Sequence, residues 1–168
     1  MKETPVLESP SSIIETLKQV SFFPSLEDHQ IIEIFRQSRV RNFDAGETVI
    51  PEGAYDTFIY ILLTGMVEVL KQGHLLASLT RTGDIFGELA ILNCESRSAS
   101  VVTLSKTSCL AIDATFLENL PPSDRDPVYA IVYRTFAEMV SHRLRTTSDA
   151  LAETRMEVAR LRDDLAKR

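Results

Sequence analysis

Cysteine is scarce in this chain: Cys94 and Cys109 are the only two among 168 residues, without CxxC spacing. A small disulfide-stapled fold is thereby excluded, and the pair reads as unpaired thiols of a reducing compartment. Long apolar runs are also missing. Nothing approaches the roughly 20 residues of a membrane span. The opening MKETPVLESPSS has no apolar signal core, so a soluble, cytoplasmic chain is expected, with no membrane partner. Positive charge is in deficit, with 18 Lys and Arg against 24 Asp and Glu for a net charge of −6. That balance argues against a broad nucleic-acid surface and leaves room for local basic patches alone. His29, His74 and His142 are scattered rather than clustered, which favours surface or satisfied core roles over metal ligation. No Ser, His and acid arrangement suggests hydrolysis, so no enzyme, metal or cofactor is expected. What remains is an apolar share of 44%, enough to fill one ordinary domain with an appendage.

Glycine is confined as well. All six, Gly46, Gly53, Gly65, Gly73, Gly83 and Gly87, fall in the middle of the chain and separate the short runs TVI, TFIYILL, MVEVLK and HLLASL. Glycines at that spacing supply positive-φ turns between antiparallel strands, so this part reads as a β-sandwich or barrel. Thr64-Gly65 and Gln72-Gly73 are the best hairpin candidates, and SASVVTL and SCLAI add two later strands. Residues before about Arg41 read as helical: SSIIETLKQV and LEDHQIIEIFRQ carry apolar residues at helical spacing, divided by the proline of FFPSL.

From Asp126 to the end neither glycine nor a proline after Pro127 interrupts the chain. Asp126 suits an N-cap and Pro127 the first helical position. Val140, Leu144, Thr147, Leu151, Thr154, Val158, Leu161 and Leu165 alternate by four and three. That is a heptad register with Leu144, Leu151, Val158 and Leu165 at a and the others at d. Val132, Phe136 and Met139 form a second stripe. A helix with two apolar faces needs two partners.

The segment GDIFGELAILNCESRSASVV, residues 83–102, carries the chemistry. It joins a glycine turn, the helix-opening pair Gly87-Glu88, one apolar turn of helix and, after a short polar loop, Arg97. Backbone N–H groups at a helix start point outward without intrahelical partners, so a phosphate placed there meets preformed donors. Arg97 adds a planar fork that grips phosphate oxygens directionally. Glu88 is then repulsive unless it serves another part of the ligand, and an acceptor-only group suits a sugar hydroxyl. Phosphate, hydroxyl and an apolar wall describe a nucleotide.

These residues resemble the cyclic nucleotide-binding domains of bacterial catabolite activators, protein kinase regulatory subunits and nucleotide-gated channels. The family pattern F-G-E-[LI]-A-[LI]-L, a loop and R-x-A-x-V is met by Phe86, Gly87, Glu88, Leu89, Ala90, Ile91 and Leu92, then Arg97, Ala99 and Val101. The resemblance extends from roughly Phe23 to Leu151 through D-A-G-E-T-V-I-P-E-G and Y-I-L-L-T-G-M-V-E-V. It implies a roll of about eight strands, with Glu88 on the ribose 2′-hydroxyl, Arg97 on the cyclic phosphate and amides around Leu89, Ala90, Ser98 and Ala99 completing the cradle. Ser96 stands where many members have proline, and the bacterial activators also lack that proline. Arg143, Leu144, Thr147 and Ser148 match an R-L-x-x-T-S segment whose hydroxyls reach adenine in the activators. Thr154, also at a d position, has no such role. The helix-turn-helix that follows in the activators has no counterpart in these residues, so no direct nucleic-acid partner is expected.

The expected fold is mainly β with flanking helices: an antiparallel, jelly-roll-like β-roll with N-terminal helices and a long C-terminal dimerisation helix. Residues 10–139 would form the ligand-binding roll with its flanking helices, and 140–168 a coiled-coil extension. The expected function is a non-enzymatic sensor of cyclic AMP, with cyclic GMP second. It would be homodimeric through the C-terminal helix, whose free end could receive a protein partner. The rival is a structural coiled-coil dimerisation module with an empty or differently occupied pocket. Loss of Arg97 is expected to remove ligand affinity while changing fold stability little.

Overall fold

The computed structural model describes residues 1–6, 15, 20, 23–89 and 95–166. Apart from Glu15 and Val20, the first predicted helix, SSIIETLKQV, lies outside the described residues, as do the cassette residues Ala90, Ile91, Leu92 and Cys94. The chain divides into two compact units, Met1–Ile131 and Val132–Arg168.

The first unit contains two antiparallel sheets. Strands β1 (Lys2–Pro5), β2 (Ser38–Phe43), β9 (Thr107–Asp113), β4 (Phe58–Thr64) and β7 (Ile85–Phe86) form one sheet in that order; β3 (Thr48–Ile50), β8 (Ser100–Thr103), β5 (Val67–Lys71) and β6 (His74–Leu79) form the other. The core between them is built from Phe43, Val49, Ile50, Tyr60, Leu62, Val67, Phe86, Val101, Cys109 and Ala111. Each large apolar side chain taken out of water there contributes about 1.5–3 kcal/mol. Strand periodicity puts Ile59, Ile61, Leu110 and Ile112 on the opposite face of the larger sheet, and these are buried too. That explains why TFIYILL and SCLAI read as continuous apolar runs rather than alternating ones. Burial also pushes the Cys109 thiol up to about 12, which keeps it protonated and inert.

All the glycine-bounded runs form strands, and the structure adds three the pattern did not reveal: β1, β2 and the two-residue β7. The helical reading up to Arg41 is corrected by β2. Ser38–Phe43 pairs along its length with β9, where Val40 faces Leu110 and Phe43 faces Thr107, and this ladder overrides local helical spacing. Helix α1 (Asp28–Arg36) does form, opened by the Glu27 N–H donating to Gln30 Oε1 at 3.0 Å.

Of the two hairpin candidates, Gln72-Gly73 is the loop between β5 and β6, with φ of 50° and 80° at its two residues. Positive φ at both is the backbone of a tight two-residue turn, and glycine accepts it freely. Thr64-Gly65 is not a hairpin: β4 and β5, on either side of it, belong to different sheets. The pair crosses between layers because β4 is already flanked by β9 and β7.

After a short helix α2 (Phe116–Asn119), helix α3 runs from Pro122 to Ala166. Its start corrects the expected Asp126 cap. Pro122 occupies the first helical position, the Pro121 carbonyl accepts from the N–H groups of Asp124 and Arg125 at 3.0 and 3.1 Å, and Pro127 lies inside the helix. Two prolines in PPSDRDP suit a helix start, and the earlier one takes it at the cost of one backbone hydrogen bond at Pro127.

The second unit is the distal part of α3. Its seam residues Leu144, Leu151, Val158, Leu161 and Leu165 are exposed, Leu144 by 66% and Leu165 by 71%. The Thr154 hydroxyl donates to the Ala150 carbonyl at 2.8 Å. Bonding one turn back satisfies that group within its own helix, which accounts for a threonine that the ligand reading left unexplained.

Candidate functional site

The segment from Gly83 is set by its turn residues. Asp84 Oδ2 accepts from the Thr80 and Arg81 N–H groups at 3.1 and 2.9 Å, and the chain then enters β7. Gly87 follows with φ of 84°. A Cβ there would lie 2.8 Å from Arg97 Nη1 and 3.2 Å from the Phe58 carbonyl oxygen, so both the backbone conformation and the close approach require glycine. Helical structure starts at Glu88, which is buried, with Leu89 exposed beside it.

Arg97 enters the site from the other side. Its N–H donates to the Ala54 carbonyl and its carbonyl accepts from the Gly53 N–H, both at 2.8 Å, so the turn after β3 holds its main chain. The side chain is 2% exposed. Arg97 Nε donates to Asp56 Oδ2 at 3.1 Å, Nη2 to Asp56 Oδ1 and to the Phe58 carbonyl, and Nη1 to the Gly87 carbonyl. Four of the five guanidinium donors are thus used within the protein. Burial works to raise the Asp56 pKa. The Arg97 hydrogen bonds, the Phe58 N–H at 2.9 Å and the charges of Arg97 and Arg41 outweigh it and hold the carboxyl below its usual range.

The residue after Arg97 is clamped by the β5–β6 turn. Lys71 Nζ donates to the Ser98 carbonyl at 2.6 Å and pairs with Glu52 Oε1 at 2.8 Å, while the Gln72 N–H donates to Glu52 Oε2 at 3.0 Å. Ser98 itself is exposed and Ala99 half-buried. Phe86, on the opposite side, stacks on Tyr60 with centroids 5.3 Å apart and planes at 9°.

Phe86, Gly87, Glu88, Leu89, Arg97, Ser98 and Ala99 all lie in the first unit, with Arg97 bonded to Gly87. Ala90 is outside the described residues. Thr147 and Ser148 are in the second unit, exposed on α3. Asp56, Phe58 and Lys71 escaped the sequence reading. Asp56 stands between a glycine turn and an apolar strand, where an acidic residue has many ordinary roles; its meaning depends on β4 and β7 being neighbours. A buried carboxylate and a buried guanidinium flanking one glycine can receive a hydroxyl and an anion on a single ligand.

The chain is similar to known proteins. A family model described as the cyclic nucleotide-binding domain matches residues 40–123. The chain is 35% identical over 104 residues to a cGMP-dependent protein kinase of Toxoplasma gondii, covering 62% of this chain and 10% of the kinase. It is 27% identical over 143 residues to a CRP-like cAMP-activated global transcriptional regulator of Mycobacterium tuberculosis, covering 83% of this chain and 62% of the regulator. The chain therefore spans less than two thirds of either relative. A cyclic nucleotide-binding domain from Methylobacillus flagellatus superposes with a TM-score of 0.67 at 19% identity, over 83% of this chain and 80% of that one. That likeness shows the fold.

Proposed function

We propose that this chain, which belongs to the cyclic nucleotide-binding domain family, is a non-enzymatic sensor that binds cyclic AMP in preference to cyclic GMP. The observation that carries the reading is the junction at Gly87, where buried Glu88 begins a helical turn and Arg97 Nη1 donates to the Gly87 carbonyl. Arg97 would meet the cyclic phosphate with the helix-start amides, and Glu88 the ribose 2′-hydroxyl. The names of the relatives do not choose the base, since one is a cGMP-dependent kinase and another a cAMP-activated regulator. Thr147 and Ser148 favour adenine by their match to the activator segment. Their hydroxyls can rotate to suit either purine edge, so discrimination should be modest.

Dimerisation through α3 completes the proposal. Five exposed seam residues from Leu144 to Leu165 call for a partner surface. In that register Glu157 falls at g and Arg162 at the following e position, the pairing that aligns two parallel copies. Ligand contact made in one position of the helix and not in another would shift its population and carry occupancy to the coiled coil.

The ion pair of Arg97 with Asp56 favours a second reading, a dimerisation module whose arginine is structural. Calorimetric titration with cyclic AMP and cyclic GMP separates the two: saturable binding with one site per chain supports the sensor, and absence of heat with both nucleotides supports the module.

A further inference from the structure

Arg41, on β2, lies outside the cassette and outside every motif read from the sequence. Its guanidinium carbon sits 4.1 Å over the Phe58 ring centroid and 5.7 Å from that of Tyr60, while Nη1 donates to the Tyr60 hydroxyl and Nε to Glu3 Oε1, each at 2.6 Å. The side chain is largely buried. Contacts of this kind hold a planar guanidinium in one orientation.

What Arg41 touches is what Arg97 depends on. Phe58 gives its carbonyl to Arg97 Nη2 and its N–H to Asp56 Oδ1, so the Phe58 backbone fixes one acceptor of Arg97 and orients another. Tyr60 stacks on Phe86, whose neighbour Gly87 supplies the third acceptor. The charge of Arg41 also acts on the Asp56 carboxylate. Phe58 thus touches Arg41 directly, Asp56 is hydrogen-bonded to the Phe58 backbone, and Gly87 adjoins the ring that stacks on Tyr60, so each acceptor that holds Arg97 is linked to a ring in contact with Arg41.

We propose that Arg41 is a positioning residue for the ligand fork, locking the three groups, Asp56, Phe58 and Gly87, that set the Arg97 guanidinium. The proposal rests on the phosphate role given to Arg97 above. Without Arg41 the Phe58 ring loses its cap, the Asp56 loop gains freedom, and the fork must be ordered by the ligand at a cost in affinity.

The test compares wild type, Arg41→Met and Arg41→Lys by calorimetric titration with cyclic AMP. The Nε–Hε resonance of Arg97 is followed in isotope-labelled protein before ligand is added. Arg41→Met should move that resonance toward the position of a solvent-exposed arginine and weaken cyclic AMP by about three- to thirtyfold. Arg41→Lys, which keeps the charge without the plane, should fall between. In an Asp56→Asn background the loss from Arg41→Met should shrink to about twofold or less, because part of its route to Arg97 is already cut. An unmoved resonance with unchanged affinity, or an equal loss in both backgrounds, overturns the proposal. Should Arg41→Met fail to fold, Arg41→Lys decides by the same comparisons. Wild type that binds neither nucleotide removes the sensor reading, and the Arg97 resonance then still decides whether Arg41 positions it.

Discussion

Arg97 and Asp56, 41 positions apart in the chain, meet as a two-pronged ion pair, with Nε and Nη2 of the guanidinium each donating to a different carboxylate oxygen. The residue proposed to grip phosphate is therefore held by an anion of the protein itself. Its remaining bonds go to the carbonyls of Phe58 and Gly87.

This pair changes what loss of Arg97 should do. From sequence, Arg97→Ala is expected to cost ligand affinity alone. The structure adds a stability penalty, since the substitution takes the Arg97 donors away from Asp56, which keeps only the Phe58 N–H, and from two carbonyls. Unsatisfied groups of this kind cost about 1–3 kcal/mol, discounted here because Asp56 is partly exposed. Arg97→Ala should lower the melting temperature measurably and weaken cyclic AMP by roughly thirty- to several-thousand-fold. An unchanged melting temperature would mean that the ion pair contributes nothing in solution.

Acid should reveal the same pair. The native Asp56 pKa is depressed, so its contribution is present above the ordinary carboxylate range near about 4 and is lost as pH falls through the native value. Wild type should therefore lose more stability than Asp56→Asn between neutral pH and about pH 3. Parallel melting curves across that range would show that Asp56 titrates normally.

Glu88 is tested by the ribose. If its carboxylate takes the 2′-hydroxyl, Glu88→Gln should weaken cyclic AMP far more than its 2′-deoxy analogue. Equal losses in calorimetry would assign Glu88 to holding the fold, which its 2% exposure also permits.

Deleting Leu151–Arg168 removes the distal half of the seam and leaves the first unit, which has its own core. The truncated protein should keep a cooperative melt while sedimenting as a weaker dimer or a monomer. A dimer as tight as that of the full chain would place the interface elsewhere.

Base preference tests the role proposed for α3. Thr147→Ala and Ser148→Ala should each narrow the ratio of cyclic AMP to cyclic GMP affinity while leaving dimerisation intact. Tighter binding of cyclic GMP by wild type, or an unaltered ratio in both variants, would remove the adenine-reading role.

Local chemistry determined much of this protein from the sequence alone. Glycine spacing marked the strands from Thr48 to Leu79, because a positive-φ turn needs a residue without a Cβ. A short pattern singled out Glu88 and Arg97 for a similar reason, since the glycine turn and both charges lie within one segment. Where the decisive partner was distant, the sequence was silent. β2 looked helical at its start because its pairing with β9 is long-range, and Thr64-Gly65 looked like a hairpin because nothing local says that the next strand belongs to another sheet. Asp56 and Arg41 are ordinary charged residues in the linear chain. Only the pairing of β2, β9, β4 and β7 in one sheet brings them within reach of Phe58, Gly87 and Arg97, and hydrogen bonds and ring contacts act over a few ångströms of space, whatever the separation along the chain.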